Sequence, residues 1–239
     1  MMTTSVTTTN PVRSDVQDPA PSPRRQPSRS WAVAGIASAV AGLATIVLSS
    51  SVDVVYREQF AGSTSGIASA LVDKAPAMFA LHSVTVLGAI LMIVFGAGLH
   101  RRLRDAMPDS LVPLVAAAGL VGTAVVSILG SALDTEYMVP LLQGGIVDDA
   151  TAAMYNHWIG TVPWLWTLTG LAGLGLFVAS RRGVVTRWLG LVGLILGGLT
   201  VILGISPLEY MSGVTGALWL LVTGIALTFG DRVYRTASR

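Results

Sequence analysis

Five ionisable side chains stand where apolar stretches of this chain give way to polar ones: Asp53, His82, Asp134, His157 and Glu209. Imidazole titrates near neutrality, and with carboxylates beside it can relay protons or ligate a zinc, manganese or iron ion. His82 is the fifth residue of MFALHSVTVLGAILMIVFGAGL, a run apolar enough to cross a bilayer. Thr85 follows it by three positions and Thr161 follows His157 by four, so each shares a helical face with its histidine. Thr123, Ser127 and Ser131 recur every four residues and lead along one face towards Asp134.

Three chemistries fit this set. Convergence of His82, His157, Asp134 and Glu209 would make a metal or cofactor site; a polar path through them would carry protons or a small solute. The simplest alternative is interfacial. His82 lies only about 8 Å below the start of its helix, so its ring can reach boundary water, and the others can be loop residues at the same wet level. No pair of histidines four apart with an adjacent Glu is present, nor a phosphate-binding glycine loop with its Lys, a Gly-x-Ser-x-Gly elbow or an intramembrane Lys. Paired-histidine haem ligation has only His82 and His157 to draw on, and no specific cofactor is indicated. His100 belongs to an arginine cluster.

The elements that must position these groups are membrane helices. Of 239 residues, 52% are hydrophobic and 12% charged, half the charge of an average soluble domain. The absence of cysteine excludes disulfides, thiolate metal sites and cysteine nucleophiles. Six stretches, 31–51, 78–99, 111–133, 158–179, 188–205 and 212–230, are each long enough to span about 30 Å of hydrocarbon. Thirteen of the fifteen basic residues fall on one side of this threading: Arg13, Arg24, Arg25 and Arg29, then Arg101, Arg102 and Arg104, then Arg181, Arg182 and Arg187, then Arg232, Arg235 and Arg239. Only Arg57 and Lys74 lie opposite. The expectation is an all-α, six-transmembrane-helix bundle in a bacterial plasma membrane, multi-pass, with N and C termini cytoplasmic.

The organisation follows: a disordered tail at 1–30, one transmembrane domain at 31–230 and a short basic tail at 231–239. Arg24-Arg25 before an apolar run resembles a secretory signal, but the run exceeds a signal core and five further spans follow, so the first helix should be retained. Two outward loops are long, 52–77 and 134–157; Asp148 or Asp149 should cap a helix that runs through TAAMYNHW into the fourth span. Gly193 with Gly197, Ala118 with Gly122, and Gly170, Gly173 and Gly175 should serve close helix packing. Trp31, Trp158 and Trp188 sit at span ends as interfacial anchors; Trp164, Trp166 and Trp219 lie deeper, where packing is the expected role. The order histidine, helix, arginine pair, helix, carboxylate occurs twice, from His82 to Asp134 and from His157 to Glu209, an arrangement compatible with a parallel repeat.

The run TRWLGLVGLILGG after a short arginine loop resembles uncharacterised six-helix integral membrane proteins of actinobacteria. That resemblance implies a small six-helix bundle, no assigned activity and no residue role. Two function classes remain open. One is a non-enzymatic membrane protein, either a small-solute or proton-coupled permease or an accessory subunit of a larger complex; the other is a membrane-embedded metal or cofactor enzyme with an outward-facing His/carboxylate site. The expected partners are the lipid bilayer, anionic headgroups at the arginine clusters and further subunits, identical or not, but no nucleic acid.

Overall fold

The computed structural model describes residues 29–143 and 147–230. The expected tails at 1–28 and 231–239 lie outside the described residues. The element order is α1 Ser30–Val52, a 3-10 turn Glu58–Phe60, α2 Thr64–Val72, α3 Ala75–Ala106, α4 Val112–Leu142, α5 Asp149–Thr161, a 3-10 turn Val162–Trp164, α6 Thr169–Arg181, α7 Arg187–Val192, a π segment Gly193–Gly197, α8 Gly198–Ile205, α9 Met211–Ile225 and a closing π segment Ala226–Gly230. Among the described residues there is no strand, and six spans are long and apolar enough to cross a membrane.

The helices form a ring. α1 packs on α3, α3 on α4, α4 on α6, α6 on α7 and α8, α8 on α9, and α9 returns to α1. Their outer faces are apolar: on α1 the exposed residues are Val33, Val40 and Val47, seven apart, whereas Ala32, Ala39 and Ile46 turn inward. A helix apolar on both faces has no stable place in water, so this surface belongs to lipid.

Inside, small residues set the spacing. A Cβ on Gly197 would sit 2.8 Å from Gly173 Cα, and one on Gly193 would strike Gly173 O, so α6 and the π segment touch backbone to backbone. Hydrocarbon drives helices together only weakly, and such approach supplies the missing contact. Gly35 lies against the Phe95 ring and Gly42 against Trp166. Trp166 and Trp219 are buried, as expected of packing residues.

Two buried clusters stack along the bundle. One, around Phe95, Leu99, Leu103, Leu176, Trp219 and Leu220, fills the arginine-flanked half. The other joins Ile67 and Leu71 of α2 to Met78 and Leu81 of α3, Tyr137 and Met138 of α4, and Tyr155 and Ile159 of α5. This second core exists because α3 and α4 outrun the bilayer: α3 has 32 residues and α4 has 31, roughly 47 Å of helix at 1.5 Å per residue. The expected loop at 134–157 is therefore largely helical, and Asp134 stands within α4.

The fourth span departs furthest from expectation. Asp148 caps α5 through Ala150 N and Thr151 N, as the acidic pair suggested, but the helix does not continue into the membrane unbroken. It stops at Thr161, passes through Val162–Trp164 and turns, and resumes at Thr169. Pro163 has no N–H to continue the ladder, and its ring excludes a regular helix through the preceding turn. The break contacts α1, α4 and α9, which places it inside the ring.

Candidate functional site

Asp134 is 4% exposed, and its carboxyl oxygens have only long partners: Tyr155 Oη donates to Oδ1 at 3.4 Å, and Ser131 Oγ, 3.4 Å from Oδ2 and 3.3 Å from His82 O, has one proton to give to either. Tyr155 is held by stacking on Tyr137, ring centres 4.2 Å apart and planes 7° from parallel. His82 lies within electrostatic range of the carboxyl group. Its Nδ1 is 2.9 Å from Ser131 O. A carbonyl only accepts, so Nδ1 is the nitrogen that carries a proton. Ser131 thus serves both groups, its carbonyl fixing the imidazole and its hydroxyl reaching the carboxylate.

A void of about 10 Å³ adjoins them, lined by Asp134, Ser131, Ser127, Thr85, Trp158 and Pro163 among others. That is near the space one water requires. Trp158 Nε1 is buried beside it with no protein partner. A second void, also about 10 Å³, shares Thr85, Ser127 and Pro163 with the first and extends to Ser38, Thr45 and Trp166. Thr45 and Thr85 hydroxyls are 3.1 Å apart, Thr123 and Thr169 hydroxyls 2.9 Å apart, and Ser38 Oγ donates to Gly88 O at 2.8 Å. The serine and threonine stripe read from the sequence is accordingly an interior polar seam, and the break in span four forms one wall of it.

The backbone of that break is held by side chains. Ser212 Oγ accepts from Trp166 N at 3.2 Å and donates to Trp164 O at 3.1 Å; Trp166 Nε1 donates to Pro163 O at 3.2 Å. Irregular backbone at membrane depth persists only where its polar groups are met in this way. One turn earlier, fully buried Asn156 fastens the end of α1: Oδ1 accepts from Val54 N at 2.8 Å and Val55 N at 2.7 Å, and Nδ2 donates to Val52 O at 3.1 Å. Ser49 Oγ donates to Ile159 O at 2.8 Å and accepts from Trp164 Nε1 at 3.3 Å.

The remaining candidates lie elsewhere. His157 is exposed and meets the Tyr56 ring edge-on at 5.7 Å. Asp53 belongs to this second group: burial pushes its carboxyl above the ordinary range, partly offset by the Val55 N–H bond and the charges of His157 and Arg57. Glu209 is exposed in the turn before α9. The expected four-residue convergence thus divides into His82 with Asp134, His157 with Asp53, and Glu209 apart from both, because Asn156 takes the buried face of α5 and His157, about 100° around the axis, is left exposed. Among the described residues no group of three or more His, Cys, Asp or Glu side chains is placed to hold a metal ion. The two histidines also differ in burial, so the repeated pattern does not produce equivalent surroundings.

Asn156, Tyr155 and Ser212 were not singled out from the sequence. Pro163, inside the expected span 158–179, is the signal that could have found them: a proline within a helical run breaks its ladder, and polar groups must meet the freed backbone. No family model, curated protein or solved structure matches this chain, so its chemistry is read from its own residues.

Proposed function

We propose that this chain is a multi-pass protein of the bacterial plasma membrane, with N and C termini cytoplasmic, that works as a proton-coupled permease for a small solute. Asp134 and His82 form its proton site, and the broken fourth span is its movable element. The observation that carries this reading is Asp134 itself: a buried carboxyl with only long hydrogen-bond partners, a histidine at hand and a water-sized void beside it. Ionisable groups inside membrane proteins are costly to keep and mark ion or substrate pathways. Discontinuous helices are the usual walls of such pathways. Supporting the orientation, the basic residues gather at one end of the helices.

A second reading is an accessory subunit of a membrane complex. What favours it is closure: each of the seam's two voids has room for about one water. The metal-enzyme alternative draws no support from a geometry that separates its ligands.

Proteoliposomes on a solid-supported membrane separate the two. A pH step of about two units should evoke a transient charge displacement as the site takes up protons. Asp134→Asn should abolish it and His82→Gln should reduce it. No transient from folded wild-type protein, or an equal transient from Asp134→Asn, would leave the accessory role.

A further inference from the structure

At the opposite end of the bundle, the turn between α6 and α7 opens a cleft of about 690 Å³, lined by Phe177, Ser180, Arg181, Gly183, Val185, Thr186, Arg187 and Leu191. The turn is tightly built. Gly183 takes φ 74°, Gly183 N donates to Ser180 O and Val184 N to Ala179 O, the bond pattern of a Schellman close. Arg102 of α3 donates Nη2 to Val184 O at 3.5 Å, and Arg182 Nη1 reaches Met107 Sδ at 3.7 Å. The turn is thereby fixed against the end of α3, and Arg181 and Arg187 are left exposed on the cleft.

We infer that this cleft binds the headgroup of an anionic phospholipid. It lines up two guanidinium groups with no carboxylate among its walls, and Thr186 adds a hydroxyl that makes no capping bond to its own helix. Guanidinium presents a planar fork of donors that suits phosphate oxygens. Phe177 and Leu191 continue the cleft with apolar surface, where an acyl chain would lie. Trp188, half-exposed beside Arg187, marks the headgroup level. A free phosphate would satisfy the arginines but leave that apolar wall wet, so the lipid is the better fit. The site is independent of the proton chemistry proposed for Asp134.

Native mass spectrometry of the full chain from mixed micelles reads it directly. Wild type should retain one dioleoyl phosphatidylglycerol in preference to phosphatidylcholine by about tenfold. Arg181→Gln with Arg187→Gln should remove the preference; the paired lysine variant should keep part of it; Arg101→Gln with Arg104→Gln should leave it unchanged. Millimolar glycerol phosphate should not displace the lipid. Equal retention by the paired glutamine variant overturns the assignment. So does an equal loss in the Arg101 and Arg104 control, which would indicate a diffuse basic belt, or full displacement by glycerol phosphate, which would indicate a soluble-anion site.

Discussion

Truncating Asn156 tests how the end of the bundle opposite the arginine clusters is closed. Asn156→Ala removes the acceptor shared by Val54 N and Val55 N and the donor to Val52 O. Val52 is 0% and Val54 1% exposed, so neither backbone group can turn to water; Val55 N keeps a bond to Asp53 Oδ1 at 3.2 Å. Two groups therefore bear the full loss, each about 1–3 kcal/mol, or about 2–6 kcal/mol of local stability together. At 1.4 kcal/mol per tenfold change, the smaller figure lowers amide protection at Val54 about 30-fold. Hydrogen exchange followed by mass spectrometry on peptides covering 52–57 measures it, with peptides from the Gly173 and Gly197 contact as the internal reference. Asn156→Leu fills the volume without restoring any bond and should lose as much as the alanine. Protection reduced by less than about threefold, or recovered by leucine, would show that packing and not the amide holds this end.

Three other changes probe separate parts of the fold. Ser212→Ala removes the side-chain partner of Trp166 N and Trp164 O, which keep their 3.0 Å bond to each other, and should cost about 0.5–1.5 kcal/mol in a reversible detergent-unfolding titration. Gly197→Ala must push its methyl into Gly173, whereas the nearest atom to a Cβ on Gly198 is 3.8 Å away; the first should lose about 1–3 kcal/mol and the second should be neutral or slightly stabilising. The Asp148 carboxyl is held below its ordinary value of 3.8 by the Thr151 hydroxyl and the amides of Thr151 and Ala150. Its contribution to the start of α5 is therefore complete above that value and is lost as pH falls through the lower folded value. Protection at Ala150 and Thr151, taken relative to the intrinsic exchange rate at each pH, should fall below about pH 4, and Asp148→Asn should remove that loss while keeping most of the cap.

The six spans were legible because apolar length and arginine placement are read one residue at a time, without knowing what packs on what. The glycines of the fifth span were equally plain, since Gly193 and Gly197 permit an approach that larger residues forbid. The site was legible only in part. The spacing of Thr123, Ser127 and Ser131 pointed to Asp134, and His82 does meet Ser131. What periodicity could not supply was rotation. Asn156 and His157 are adjacent, yet one is fully buried and the other exposed, and that angle is set by Val52, Val54 and Val55 offering unpaired backbone groups more than a hundred positions away. The continuation of α4 past Asp134 was hidden for a related reason. Its charged residues, Asp134 and Glu136, resemble a loop in a hydropathy profile, while Tyr137 and Met138 find their partners in α2 and α5 only once the cap is assembled.

The two ends of the bundle are joined by different physics, which limits where it can move. In the arginine-flanked half, Gly170, Gly173, Gly193 and Gly197 bring backbones into direct contact, with Gly35 and Gly98 seated on aromatic rings. Such surfaces have no slack, and a shift of an ångström would produce clashes or voids. At the end opposite the arginine clusters, helices meet through hydrogen bonds to serine and asparagine beside the apolar cluster of α2 to α5, and around a void. Each such bond can be given up singly, at the cost of the groups it leaves unpaired, whereas the glycine contacts must all shift together. A motion that admits protons to Asp134 would therefore hinge at the break in span four and displace α5 with its Tyr155, while α6 stays seated on the glycines below. The same division explains why Pro163 and Ser212 stand at the level where the two halves meet: the break is the one point along the fourth span where the chain has already given up its helical bonds.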